Sequence, residues 1–272
     1  MVLVQAGPAW LFCPADRPER FEKAAAAADV VILDLEDGVA ASDREAARTA
    51  LVDTPLDPNR TVVRINPATT ADHELDRKAL SRTAYTTVML AKTESAQQVT
   101  ALAALDVVVL IETPLGALAV TELARADNAT ALMWGAEDLF AVLGGTANRN
   151  ADGTYRDVAR HVRSQALLAA KAFGRMALDS VYLNIKDLDG LREEVDDAVA
   201  VGFDAKVAIH PSQVAVIRAG YAPTAEQVEW ARHVLAAARD ERGVFQFEGI
   251  MVDAPVLRRA ERIVQLAPHP GT

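Results

Sequence analysis

Hydrophobic positions in this chain fall in short unbroken runs, separated by longer stretches rich in Ala, Leu and charge. Eight such runs cover residues 10–13, 30–35, 61–65, 87–90, 107–111, 131–136, 180–185 and 206–209. Unbroken apolar runs are what strands covered on both faces require, because neither face meets water. Seven of the eight are followed by helical patterning, over 18–28, 43–51, 72–81, 95–102, 116–126, 139–143 with 155–173, and 188–201. Ser42 and Ser95 stand where an N-cap hydroxyl would take up a free backbone N–H. Eight βα repeats in roughly 220 residues predict a (β/α)8 TIM barrel of the α/β class. The alternative is an open doubly wound sheet, but no Gly-x-Gly-x-x-Gly turn follows an early run.

Two segments stand outside the repeat. Residues 143–153 are rich in Gly, Asn and Asp and read as a long loop at the strand ends, either a lid or a surface insertion. A barrel over 1–222 does not need residues 223–272, where helices over 225–239 and 255–266 flank a turn at Gly243 and residues 245–252. This C-terminal helical extension packs either on its own barrel or on a neighbouring subunit.

The runs end in charge. Residues 30–35 lead into Glu36 and Asp37, 61–63 into Arg64, 107–111 into Glu112, and 131–136 into Glu137 and Asp138. Desolvating an unpaired charge is costly, so these groups need partners. Parallel barrel strands would bring them to one mouth, a candidate magnesium site beside an anion-binding arginine. Glu112 and Asp138, on adjacent strands, would share one ion. A structural reading stands beside this one: strand-end carboxylates also cap helices or pair with arginine, and Arg64 would suit Glu36 or Asp37.

Composition narrows the picture. The 272 residues are 51% hydrophobic and 24% charged, enough apolar material for one large core or two small ones. A formal charge of −10 with no Lys/Arg run argues against a nucleic-acid footprint. Cys13 is the single cysteine, which excludes an intrachain disulfide and suits a reducing cytoplasm; its apolar neighbours suit a buried structural thiol. No signal-peptide pattern and no run of about 20 apolar residues is present, so a cytoplasmic, membrane-free protein is expected. The histidines lack metal-ligand spacing, and no nucleophile elbow or P-loop occurs. Lys92, after the fourth run, reads as a salt-bridge partner more readily than as a Schiff-base lysine.

Seven motifs in order carry a resemblance. They are Leu11-Phe12-Cys13-Pro14 with Arg17 and Lys23, Leu35-Glu36-Asp37-Gly38-Val39, Val63-Arg64-Ile65-Asn66, Ile111-Glu112, Gly135-Ala136-Glu137-Asp138-Leu139, Ile209-His210-Pro211 and Met251-Val252-Asp253. Together the chain resembles the HpcH/HpaI aldolase family, in its citrate lyase beta subunit-like branch, related to malyl-CoA and citramalyl-CoA lyases. The resemblance implies a barrel, usually homotrimeric, that cleaves carbon–carbon bonds of acyl-CoA thioesters with Mg2+. By position it implies Glu112 and Asp138 as metal ligands, Arg64 as substrate-binding arginine, and Phe12, Arg17 and Lys23 as coenzyme A contacts. It places Glu137 and His210 along the acyl end, and Asp253 as an acid supplied by the neighbouring subunit. Glu36 and Asp37 would hold metal-bound water and orient Arg64. A branch with a catalytic histidine after strand two carries it near Gly38 or Val39, and this chain has none there. The implied substrates are citramalyl-, malyl-, hydroxymethylglutaryl- or citryl-CoA. The alternatives are a citryl-carrier lyase subunit and a silent barrel that binds CoA thioesters.

Overall fold

A computed structural model describes residues 6–239 and 243–267. Eight parallel strands close a barrel in chain order: β1 (Ala9–Pro14), β2 (Val30–Asp34), β3 (Thr61–Ile65), β4 (Thr87–Leu90), β5 (Asp106–Ile111), β6 (Ala129–Trp134), β7 (Met176–Asp179) and β8 (Ala205–Ala208). β8 pairs back onto β1, so no edge is left open. Between the strands lie α1 (Phe21–Ala27), α2 (Arg44–Asp53), α3 (Ala71–Leu80), α4 (Ala96–Thr100), α5 (Pro114–Arg125), α6 (Ala136–Leu143), α7 (Asp157–Ala172) and α8 (Leu188–Val201), with α9 (Pro211–Tyr221) after β8. The (β/α)8 TIM barrel expected from the apolar runs is the observed fold. Among the described residues no helix is long and apolar enough to cross a membrane.

Strand side chains alternate, and the alternation explains the unbroken runs. Val30, Ile32, Val62, Met89, Val108, Leu110, Met133, Leu178 and Val207 fill the barrel interior. Their neighbours Val31, Leu33, Val63, Val109 and Leu132 are equally buried, on the opposite face toward the helices. One further step of two residues carries the inward rows to Asp34, Arg64, Glu112, Gly135, Ser180 and Ile209. All six line one cavity.

Most element ends shift by one to three residues from the sequence pattern, and three differences are larger or bear on the site. Strand seven is Met176–Asp179, while residues 180–185 form no strand. The β-branched and aromatic content of 180–185 suggests a strand, but the barrel register seats Met176–Leu178 beside β6 and leaves 180–185 beyond the wall. There the Tyr182 carbonyl accepts from the Gln213 side chain instead of a ladder. β6 ends at Trp134, so Glu137 and Asp138 sit in the first turn of α6, not at a strand end. Ser42 does not cap α2: it lies in a 3-10 turn, Ala41–Asp43, and Asp43 takes the N-cap position. Ser95 does sit at the N-cap of α4, where Gln98 accepts its backbone N–H at 3.2 Å.

The chain separates into two compact units, Met1–Arg218 and Ala219–Thr272. In the second, Thr224 caps α10 (Ala225–Ala237) and Gln227 returns the bond to the Thr224 backbone at 2.9 Å. Residues 245–252 form an antiparallel hairpin of β9 (Phe245–Phe247) and β10 (Ile250–Val252). Its turn is Glu248–Gly249, both at positive φ. Helix α11 (Ala254–Leu266) packs on α10 around Ala231, Val234, Val252 and Ala260.

Candidate active site

The cavity at the C-terminal mouth of the barrel has a volume of about 430 Å³. Arg64 is its central cation. Asp34 and Arg64 are register partners on β2 and β3, both pointing inward. Arg64 Nε donates to Asp34 Oδ1 at 2.7 Å and Nη2 to Oδ2 at 2.6 Å, a two-pronged pair. Its Nη1 lies 3.2 Å from Glu36 Oε2, and its guanidinium covers the Phe12 ring at 4.7 Å. Burial works against this charge, yet Asp34 foremost, with Glu36, holds Arg64 protonated well above the ordinary range. Asp34 also accepts the backbone N–H groups of Glu36 and Gly38, each at 2.9 Å. A Cβ at position 38 would stand 2.3 Å from Asp34 Oδ2, so this close approach requires glycine.

Glu112, 3% exposed, enters from the end of β5. Its Oε1 accepts the backbone N–H of Lys92 at 2.9 Å. Lys92 takes a φ of 49°, a left-handed conformation uncommon in residues with side chains. Its ammonium pairs with Glu36, with Asp37 at 2.8 Å and with Asp138 at 3.2 Å. Burial first, and then the charge of Asp138, pushes Glu112 up to about 8, despite Lys92 and Arg64. Among the described residues Glu112 makes no direct ion pair, although the charges of Lys92 and Arg64 favour its ionised form, and a bound cation would favour that form further. Among the described residues no three acidic, histidine or cysteine side chains converge on one ion. Two carboxylates with open positions for water and ligand oxygens suit Mg2+, which keeps much of its octahedral shell outside the protein.

The other expected site residues divide. Phe12, Asp37, Glu137 and Asp138 line the cavity. Asp37 pairs with Lys92; the residue that orients Arg64 is Asp34, aided by Glu36. His210 does not line the wall. The inward row of β8 reaches Ile209, and the odd step leaves His210 exposed, with Nδ1 engaged by the Ser212 hydroxyl at 2.8 Å. Arg17 and Lys23 are exposed and also lie off the cavity wall. Asp253 belongs to the second unit, where it caps α11 by accepting the Val256 N–H at 3.3 Å. Asp34 was not singled out from the sequence, although its inward phase after Val30 and Ile32 marks it. Cys13 is buried, and that burial pushes its thiol up to about 11, as suits a structural group.

The family model HpcH/HpaI aldolase/citrate lyase matches residues 9–211. The chain belongs to that family. A citrate lyase subunit beta-like protein of Mycobacterium tuberculosis is 64% identical over 267 residues, covering 98% of each chain. The mitochondrial citramalyl-CoA lyase of Homo sapiens is 31% identical, over 88% of this chain and 78% of that protein. A crystal structure of CitE from M. tuberculosis in complex with magnesium, acetoacetate and coenzyme A superposes with a TM-score of 0.94. It is 64% identical and covers 97% of this chain and 99% of that one. The family is one of lyases.

Proposed function

We propose that this protein is a Mg2+-dependent carbon–carbon lyase that splits a carboxylated 3-hydroxyacyl-CoA into a short acyl-CoA and an oxo acid. The substrate is of the citramalyl-, malyl-, hydroxymethylglutaryl- or citryl-CoA type. The observation that carries this reading is the meeting of Glu112, Asp138 and the Asp34-locked Arg64 around one cavity. Glu112 and Asp138 would hold the ion. When bound, Mg2+ supplies Lewis acidity toward a hydroxy or oxo carboxylate. The relative solved with magnesium, acetoacetate and coenzyme A supports this ligand class.

The chain's own residues then have defined work. Arg64 has five N–H donors, and its contacts with Asp34 and Glu36 leave donors free for a ligand oxygen. A fixed guanidinium aimed at the oxygen that becomes negative on C–C cleavage is worth about 3 kcal/mol, by analogy with a single oxyanion donor. Asp34 prevents that guanidinium from reorganising during the reaction. Phe12, Arg17 and Lys23 are proposed to meet the coenzyme A portion. Asp253 is proposed to act as the acid or base from a neighbouring subunit of a homotrimer.

The test offers purified protein with Mg2+ a panel of carboxylated 3-hydroxyacyl-CoAs while oxo-acid release is followed. Turnover of at least one thioester is expected, and none with any of them rejects the reading. Turnover only after an acyl-carrier partner is added would assign the chain to a citrate lyase complex. Mixing Asp253→Asn with Arg64→Ala subunits should restore part of the lost rate, and sedimentation should give three chains. No restoration would place each site within one chain.

A further inference from the structure

A second cavity, of about 420 Å³, lies in the same unit, and Arg149 and Tyr182 line it rather than the first. The segment 144–156 that joins α6 to α7 is not free there. Arg149 and Tyr155 form an isolated antiparallel bridge. The Arg149 guanidinium lies 3.8 Å from the centre of the Tyr155 ring and 5.3 Å from that of Tyr182. It also donates to the Gly153 carbonyl at 2.8 Å and pairs with Glu194 of α8.

From this anchor, contacts run back to the first cavity on two sides. The neighbouring Asn148 donates through Nδ2 to Glu137 Oε1 at 2.6 Å. Glu194 Oε2 lies 3.2 Å from Nζ of the fully buried Lys206, which donates to the Ser180 carbonyl at 2.8 Å. Ser180, Val181 and Leu183 line the first cavity, while Tyr182 between them lines the second. Two adjoining residues thus reach both walls: Asn148 the one that carries Glu137, and Arg149, through Tyr182 and Glu194, the one formed after β7.

We propose that Asn148 and Arg149 are positioning residues. They form a latch that fixes Glu137 and residues 180–183 before the ligand arrives and so sets the affinity for its oxo-acid end. The inference rests on the lyase reading above for the identity of that ligand. Holding Glu137 in place beforehand spares the ordering cost that binding would otherwise carry. A purely structural role for Arg149 would change stability without separating oxo-acid affinity from metal affinity.

The experiment is calorimetric titration of the full chain with Mg2+ alone, and with acetoacetate at saturating Mg2+. Wild type is compared with Asn148→Ala, Arg149→Lys and Arg149→Met. Asn148→Ala is expected to weaken acetoacetate about ten-fold, as befits one charge-assisted hydrogen bond, with Mg2+ affinity and the unfolding midpoint unchanged. Arg149→Met should weaken it at least as much and speed amide exchange across residues 180–183. Arg149→Lys, which keeps the Glu194 pair but loses the planar stack, should fall between. Acetoacetate affinity within two-fold of wild type in Asn148→Ala overturns the latch. So does a parallel loss of Mg2+ affinity and stability in Arg149→Met. A wild-type protein that binds Mg2+ but none of acetoacetate, pyruvate and oxaloacetate overturns the ligand reading itself, and the latch with it; where another of these oxo acids binds in place of acetoacetate, the same variants are titrated with that one.

Discussion

Lys92 serves Glu112 with its backbone and competes for the same cavity with its side chain. Its N–H donates to Glu112 Oε1 at 2.9 Å, while its ammonium stands 3.2 Å from Asp138 Oδ1. The sequence marks Lys92 as a salt-bridge partner, as it is, but names none of its partners. Its left-handed backbone at φ 49° lets one residue do both.

Lys92→Met should therefore tighten Mg2+ binding. The variant keeps the amide and removes an ammonium close to the proposed dication. A gain of roughly ten-fold is expected, a small share of the Coulomb repulsion at an effective dielectric near 20. Calorimetry checks it, and the Mg2+-induced rise in unfolding midpoint should grow with it. Unchanged or weaker binding would make Lys92 an organiser of Asp138, not its competitor.

Glu112→Gln should abolish Mg2+ binding at almost no cost to the cation-free fold. Burial holds the Glu112 carboxyl up at about 8, so it is largely neutral at pH 7 without an ion, and glutamine keeps the acceptor for the Lys92 N–H. The midpoint without Mg2+ should move by less than about 2 °C, below the roughly 2–4 °C that a 1 kcal/mol change produces in a domain of this size. Differential scanning fluorimetry with and without Mg2+ reads both effects.

Asp34→Asn should cost both stability and rate. Among the described residues it leaves the buried Arg64 with Glu36 as its ion-pair partner, and breaking one side of a buried pair typically costs about 3 kcal/mol. Gly38→Ala should move in the same direction, because its Cβ would press on Asp34 Oδ2. Urea denaturation measures the first. A drop in kcat for both variants, with Mg2+ affinity retained, would tie Asp34 to the chemistry through Arg64.

Acid should loosen the wall between β7 and β8. Burial alone would raise Asp179, but Lys206 and Arg163 overcome it and hold the carboxyl down at about 2. A depressed folded-state pKa stabilises above the unfolded value, near 4, and that contribution is lost as pH falls toward 2. Its size is about 2 kcal/mol. Urea titrations between pH 5 and pH 2 should show a shallower loss of stability in Asp179→Asn than in wild type.

The apolar runs made the barrel legible because strands covered on both faces leave no polar phase to confuse with a surface. The acids after those runs were legible because a charge beside a dry strand needs a partner. Residues 180–185 misled for a physical reason: their β-branched and aromatic content favours extension, and only the register against β6 and β8 decides which four residues join the wall. The side His210 faces was not legible either, since it depends on where β8 begins to count.

By itself the sequence determined the βα repeat, the barrel and the set of acids gathered at one mouth, because hydrophobic period and desolvation cost act along the chain. The tertiary structure decided which carboxylate grips Arg64, that Lys92 reaches Asp138, and that Asn148 touches Glu137. Those pairs lie 30, 46 and 11 residues apart. No local pattern encodes them; they follow from strand register and from where the loops close in space.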